Sequence, residues 1–113
     1  MLNRTRSTTL ATDCATADNL FSRGLGLLPR SSLREGEGLR ITKTNAITMW
    51  FMRFPIDAVW VDRSRRVVKV RERLRPWLLA ASARGADEVI ELPAGTIART
   101  GTQAGDELQY EPV

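Results

Sequence analysis

The stretch that decides the fold runs from residue 47 to residue 74 and reads ITMWFMRFPIDAVWVDRSRRVVKVRERL. It is rich in β-branched and aromatic residues, which favour strands. Pro55 interrupts the stretch because proline lacks a backbone donor for the ladder, and the polar residues 62–65 interrupt it again as a turn. The sequence therefore predicts three strands, over 47–54, 56–61 and 67–74.

Shorter elements are predicted on both sides of this center. Alternating residues favour strands at 8–14, 39–42, 88–92 and 107–111, and short helices are expected near 17–24 and 97–100, with Gly24 and Gly101 as stops. The prediction is an α+β fold of mostly antiparallel β, with six or seven short strands in a half-closed barrel or roll and one or two short helices. Residues 1–7 are expected to form a flexible N-terminal tail, and residues 8–113 a single globular domain.

Composition excludes several function classes. The 113 residues carry a net charge of +4 and no histidine, which excludes Ser-His-Asp triads and His-ligated zinc. A single cysteine, Cys14, cannot form an internal disulfide or a thiolate metal site. We therefore expect no metal and no cofactor, and the balance of evidence leans against an enzyme. No apolar run approaches a membrane span or a signal peptide, so a cytoplasmic location is expected.

The bend around Pro55 places Arg53 and Asp57 between apolar strands, where charges need partners. In one interpretation Asp57 is structural, accepting backbone N–H groups at the bend or pairing with Arg53. In the other, the two residues bind a ligand together with Arg23 and Arg30 of the nearby glycine-containing loop. A two-carboxylate hydrolase site drawn from Asp57, Asp62, Glu35 and Glu37 is a weaker hypothesis, because nothing in the sequence fixes their separation.

Two further surfaces are candidates for partners. Trp50 and Trp60 would anchor a protein partner if exposed, and core packing is the alternative. Alternation in the third central strand predicts that Val68 and Val70 share one face and that basic residues line the other. The basic set could attract a phosphate backbone, although a solvated face is the simpler interpretation; its members are Arg63, Arg65, Arg66, Lys69, Arg71, Arg73 and Arg75.

Several motifs, in this order and spacing, resemble the bacterial and archaeal domain-of-unknown-function family 192. They are RGLGLLPR at 23–30, GEGL at 36–39, FMRFPID at 51–57, ELPAG at 91–95 and GD at 105–106. The resemblance covers nearly the whole chain. It implies a small, mostly β domain without an established biochemical activity, and an accessory role in the cell envelope or in secretion. Where many relatives resemble Cys-x-x-Ile-His-Thr-Phe before the Arg-Phe-Pro motif, this chain has residues 43–50 without a histidine.

Three functions follow as hypotheses. The first is a small non-catalytic binding or accessory module that contacts a protein or a small polar ligand. The second is a carboxylate-and-arginine enzyme acting on a polar or saccharide substrate. The third is a weak nucleic-acid binder, with nucleic acid the least expected partner.

Overall fold

The computed structural model describes residues 1–17, 33–49 and 52–110. Within these residues it contains ten strands and one short helix, with bounds β1 Leu2–Asn3, β2 Thr8–Thr9, β3 Asp13–Ala17, β4 Glu37–Thr42, β5 Ala46–Ile47, β6 Ile56–Val61, β7 Val67–Leu74, β8 Ala81–Ser82, β9 Glu88–Pro93, α1 Thr96–Thr100 and β10 Leu108–Gln109. Five of the strands are two residues long. Such short pairings leave no periodic pattern, which explains why the sequence predicted six or seven strands.

The central sheet has five strands in the order β3-β4-β9-β6-β7. Strands β3 and β4 are parallel, and the other neighbours are antiparallel. All six residues of β6 are buried, since the strand lies between two neighbours and both faces of the sheet are covered. The described strands confirm the mostly antiparallel α+β class; they form separate sheets that are not closed into a barrel.

The two faces of the central sheet carry separate cores. We call the first face the one on which Leu39, Ala58 and Val89 lie, and the second face the one with Ile90 and Leu92. The two-stranded sheet of β5 and β8 contributes to the first core. The three-stranded sheet β10-β1-β2 and helix α1 contribute to the second core.

The first seven residues differ from the flexible tail expected. Leu2 and Asn3 pair with β2 on one side and with β10 on the other. The fully buried Asn3 side chain donates to Thr102 Oγ1 at 3.0 Å and to Asp106 Oδ2 at 2.9 Å. Hydrogen bonds over such a long sequence separation leave no local signal, so the sequence could not reveal them.

Predicted elements near the ends of the central stretch are also corrected. Among the described residues of the strand expected over 47–54, only Ile47 lies in a strand, β5, and Met49 instead exchanges backbone hydrogen bonds with Trp77 and Leu78. The strand expected over 8–14 is split between β2 and β3. The helix expected over 17–24 falls outside the described residues, apart from Ala17, which ends β3.

Two register shifts in the β6–β7 pairing change which residues share a face. Ala58 lies opposite Arg71 but Ile56 lies opposite Leu74, so β7 inserts one extra residue there, and a second shift follows Trp60. Each β-bulge inserts one extra residue, so the residues beyond it point to the face opposite the one that strict alternation predicts. As a result Val68 packs against the first core and Val70 against the second, so the prediction that they share a face is wrong.

Candidate functional site

Asp57 is fully buried, and its carboxylate accepts three backbone hydrogen bonds. Oδ1 accepts the N–H of Arg73 at 2.9 Å, and Oδ2 accepts the N–H groups of Gly95 at 3.1 Å and Ile97 at 2.8 Å. These bonds join β6 to the start of α1, whose own N-cap residue, Gly95, makes no side-chain cap bond. Asp57 therefore caps the helix from a distant strand and ties the FMRFPID motif to the ELPAG motif.

The expected partnership between Arg53 and Asp57 does not form. Arg53 is exposed, and no ion pair or hydrogen bond joins the two in the described part of the chain. Of the two interpretations of the bend, the geometry matches the one in which Asp57 accepts backbone N–H groups. Arg23 and Arg30 lie outside the described residues.

Trp60 does not form an exposed partner-binding anchor. Its side chain is fully buried in the first core, and Nε1 donates to the carbonyl of Asn45 at 3.0 Å. Trp50 lies outside the described residues. The exposed large apolar side chains in the described segments are instead Trp77 and Leu79, in the connection between β7 and β8.

The basic residues of 63–75 are divided among different surroundings. Arg65 stacks 3.7 Å from the centroid of the Tyr110 ring, and Lys69 donates to the Ser82 carbonyl. Arg71 lies on the first face, opposite Ala58, whereas the Arg73 guanidinium lies beside Gly95 near α1. The register shifts therefore prevent the single basic face that alternation predicts.

Because the basic groups are dispersed, we expect only weak, salt-sensitive binding to nucleic acid. Binding to two or three phosphates releases counterions from the nucleic acid, so added salt weakens the complex. The affinity for a DNA or RNA oligonucleotide should therefore fall about tenfold or more between 50 and 200 mM salt. Fluorescence anisotropy at the two salt concentrations measures this. Tight binding that persists at the higher concentration would contradict the expectation.

Glu91 is a buried carboxylate that sequence reasoning did not single out. It lies in the middle of β9, directly opposite Leu39 of β4 and Ala58 of β6, and so on the first face of the sheet. The residue is 4% exposed, and no hydrogen bond or ion pair to it occurs among the described residues. In those residues, every side-chain nitrogen or oxygen that is completely shielded from solvent has a hydrogen-bond partner. The Glu91 oxygens have no such partner, so they must still be in contact with solvent.

Burial raises the pKa of the Glu91 carboxyl to about 7. The cause is loss of hydration, because leaving water penalises the charged form. A carboxyl that titrates near neutrality inside an apolar surface is the kind of group that binding and catalytic sites contain. Among the described residues, Glu91 therefore has a carboxyl group suited to binding or catalysis that no hydrogen bond or ion pair already uses.

Two other acidic residues lie on the same face as Glu91. Residues two apart in a strand share a face, so Glu37 lies beside Leu39 on the Glu91 side, and Asp13 is directly opposite Glu37 in β3. Exposure decreases from Asp13, which is exposed, through the half-buried Glu37 to the buried Glu91. Glu37 accepts the N–H of Arg34 at 2.8 Å. The three residues therefore share one face of the sheet, at positions from the edge strand β3 to the central strand β9.

A second buried glutamate, Glu88, is by contrast fully paired. Oε2 accepts from Arg40 Nε at 2.9 Å, and Oε1 accepts the hydroxyl of Tyr110. Burial and this hydrogen bond raise the pKa of Tyr110. The Tyr110 ring also contacts the guanidinium groups of Arg40 and Arg65. The charged and polar groups of this cluster contact one another, so the cluster is a structural contact between β4, β9 and the segment after β10.

Two members of the predicted two-carboxylate set are engaged in backbone hydrogen bonds. Asp57 is committed to the backbone, and Asp62 Oδ1 accepts the N–H groups of Ser64 and Arg66 in a turn. Within the described residues, no group of three or more His, Cys, Asp or Glu side chains could hold a metal ion. In the same part of the chain, no helix is long and apolar enough to cross a membrane.

Replacing Cys14 with serine should leave the fold intact. The thiol is half-buried on the second face, and burial raises its pKa. Little thiolate is present at neutral pH, so alkylation by iodoacetamide should be slower than that of a free cysteine. We expect Cys14→Ser to change the free energy of unfolding by less than about 1 kcal/mol, as measured by urea denaturation. Rapid alkylation of the folded protein would contradict this assignment.

Comparison with known proteins places this chain in a family. The model of domain-of-unknown-function family 192, described as "Uncharacterized ACR", matches residues 1–110. The chain belongs to this family. A Thermococcus sibiricus protein named UPF0127 protein is 32% identical over 115 residues, covering 98% of this chain and 74% of the relative. A Pyrococcus furiosus protein of the same name is 30% identical over 113 residues, covering 97% of each chain.

Two solved structures share the fold. A protein of unknown function from Novosphingobium aromaticivorans superposes with a TM-score of 0.79 at 24% identity, covering 86% of this chain and 74% of that one. A Sinorhizobium meliloti protein superposes with a TM-score of 0.75 at 24% identity, covering 85% and 79%. The family membership expected from the motifs is confirmed, and the family is one of unknown function.

Proposed function

We propose that this chain is a binding module that takes a small polar ligand on the first face of its central sheet, with Glu91 as the polar anchor. The proposal keeps the predicted class of function, a small binding module, but moves the site. Asp57 is fully buried and holds β7 and the start of α1 through three backbone bonds, so it is assigned to the fold and not to a ligand.

The observation that carries the proposal is that the buried Glu91 carboxyl has no partner among the described residues. Burying a carboxyl without a hydrogen-bond partner costs stability, and a leucine or methionine at the same place would remove that cost. Glu91 lies between Leu39 and Ala58, which offer no hydrogen-bonding side chain. A ligand that supplies the missing donor would complete the site.

A ligand screen on matched variants tests the proposal. Small polar compounds are screened by ligand-observed NMR at pH 6 against the parent protein and Glu91→Leu, with Glu72→Gln as the control because Glu72 is exposed on β7. We expect compounds that bind the parent and the control but lose at least tenfold in affinity for Glu91→Leu. Compounds that bind all three equally would place the ligand elsewhere and overturn the proposal.

Catalysis by the same carboxyl is the second candidate function. It is favoured by the pKa of about 7 for Glu91, since a general acid or base works best when it titrates near the operating pH. The two functions differ in what happens to a bound compound. A ligand recovered unchanged after prolonged incubation supports the binding module, whereas a product that Glu91→Gln does not form supports the enzyme.

A further inference from the structure

The connection between β7 and β8 carries an exposed apolar surface with arginines beside it. We infer that this connection, residues 75–80, which we call the β7–β8 loop, docks onto the surface of an anionic lipid bilayer. Trp77 and Leu79 enter the interface, and the neighbouring arginines bind lipid phosphates. None of these residues takes part in the proposed function, so either can fail without the other.

The apolar side chains of the β7–β8 loop are divided between the core and the solvent. Trp77 is 58% exposed and Leu79 is 68% exposed, and Ala80 after them is exposed as well. Leu78, between the two large side chains, is half-buried and packs against the first core. The loop is therefore attached to the protein through Leu78 and presents Trp77 and Leu79 outward.

Two hydrogen-bonded turns hold Trp77 in position. The Trp77 N–H donates to the Met49 carbonyl at 2.7 Å, and the Met49 N–H donates to the Leu78 carbonyl at 3.0 Å. The Leu78 N–H also closes a turn on the Arg75 carbonyl at 3.4 Å, and the Met52 N–H closes another on the Met49 carbonyl at 3.1 Å. The backbone that presents the indole is thus fixed by bonds to a second segment of the chain.

The backbone conformation of Trp77 is costly for a residue of this size. Its φ is 70°, in the left-handed region that bulky side chains rarely adopt. Glycine or asparagine would adopt this φ with less strain and would expose no apolar ring to water. Strained residues of this kind are concentrated at binding sites. The presence of tryptophan here is explained if its ring leaves water when the loop docks.

The surroundings of the β7–β8 loop are basic. Residues 73–86 contain three arginines and no acidic residue, and Arg53 directly follows the turn at 49–52 that is bonded to the loop. Arg53 and Arg75 are exposed, and neither side chain forms an ion pair or hydrogen bond with another described residue. A guanidinium group binds phosphate through two parallel hydrogen bonds. A surface of phosphate groups therefore complements the charge of this region.

The small size of the apolar surface favours a bilayer over a folded protein. A stable protein interface buries about 800 Å² on each partner, around an apolar core. Within the described residues the exposed large apolar side chains are Trp77 and Leu79, which are too few for such a core. Tryptophan is enriched at the membrane–water interface, and basic residues strengthen attraction to an anionic leaflet. Two apolar side chains beside arginines therefore suit reversible contact with lipid.

Co-sedimentation with vesicles tests the inference. The vesicles contain phosphatidylcholine with about 30% phosphatidylglycerol, or phosphatidylcholine alone, in about 50 mM salt, where charges on the two surfaces are weakly screened. We expect the parent to bind the anionic vesicles about tenfold more tightly, or better, than the neutral ones. Leu79→Ser and Trp77→Asn should each weaken binding to the anionic vesicles by about fivefold or more, because each removes apolar surface that enters the interface.

Two arginine variants form a matched pair. Arg75→Gln should weaken binding to the anionic vesicles by about threefold to fivefold. The control is Arg63→Gln, which makes the same change of charge in the turn between β6 and β7, at the other end of β7. The Arg63 side chain is 90% exposed, and its replacement should weaken binding by less than about twofold.

Three results would overturn the inference. The first is failure of the parent to bind the anionic vesicles, or equal binding to both kinds. The second is an equal loss in Arg63→Gln and Arg75→Gln with none in Leu79→Ser, which would show adsorption through net charge alone. The third is absence of vesicle binding together with Leu79-dependent binding of a peptide of alternating glutamate and leucine, which would assign the loop to a protein partner. If Trp77→Asn fails to fold, Leu79→Ser decides, since Leu79 is mostly exposed.

Discussion

Replacing Asp57 with alanine will lower the free energy of unfolding by about 4 kcal/mol, the largest effect of any single substitution considered for this chain. The change strands three backbone N–H groups, those of Arg73, Gly95 and Ile97. It also removes the capping of α1 by β6. Denaturation in urea gives the change in free energy, and the melting temperature should fall by roughly 15 °C.

Two further variants show that the backbone bonds cause this loss. Asp57→Asn keeps one acceptor oxygen but turns an amide donor toward backbone donors, so it should also destabilise, by about half as much. Arg53→Ala should change stability by less than about 0.5 kcal/mol, because Arg53 is exposed and does not pair with Asp57. The effects of Asp57→Ala and Arg53→Ala should therefore add in the double variant. An Asp57→Ala protein as stable as the parent would refute the structural role of Asp57.

Glu91→Gln will stabilise the protein at pH 8 by up to about 3 kcal/mol and will have little effect at pH 5. The folded-state pKa of Glu91 is raised from 4.5 to about 7 by burial, so the folded protein holds this proton more tightly than the unfolded chain does. The contribution of the protonated Glu91 carboxyl to the free energy of unfolding is therefore fully present below pH 4.5 and is lost as the pH rises to about 7. Glutamine does not titrate, so the variant lacks this loss.

Denaturation at pH 5 and pH 8 measures the difference directly. The exposed Glu72→Gln serves as the matched control and should show no pH-dependent gain. If Glu91→Gln destabilised the protein equally at both pH values, Glu91 would be a hydrogen-bonded structural residue. A gain confined to the higher pH would show that the parent keeps a carboxyl at a cost to its stability, which is typical of functional positions.

Periodicity and composition predicted the center of the fold because β6, β7 and β9 have continuous local patterns. Ile56–Val61 is an uninterrupted apolar strand except for Asp57, and proline and polar residues mark its ends. The two-residue strands and the docking of Asn3 on Asp106 could not be predicted, since they depend on contacts between distant parts of the chain. The bulges in β7 were also invisible, because they are set by pairing with β6.

The site was harder to predict than the fold. The carboxylate of Asp57 attracted attention because it follows a proline bend, but its three bonds come from β7 and the start of α1, segments well separated from it in sequence. Glu91 looked like an ordinary polar residue in a strand next to Leu92. The sequence contains one signal for the burial of Glu91. Its neighbours Ile90 and Leu92 are both apolar, and if this strand is central, with both faces of the sheet covered, Glu91 is buried as well. Only the sheet order, with β9 between β4 and β6, shows that this strand is central.

A pH titration of the Glu91 side-chain carboxyl carbon by NMR, assigned by comparison with Glu91→Gln, tests most directly whether this carboxyl is buried in the folded protein. We expect a midpoint near 7, because the carboxyl is buried beside Leu39 and Ala58 and has no partner among the described residues. A midpoint near 4.5 would mean that the Glu91 carboxyl is as well hydrated as in the unfolded chain or is paired, and would contradict its assignment as a largely buried carboxyl without a partner among the described residues.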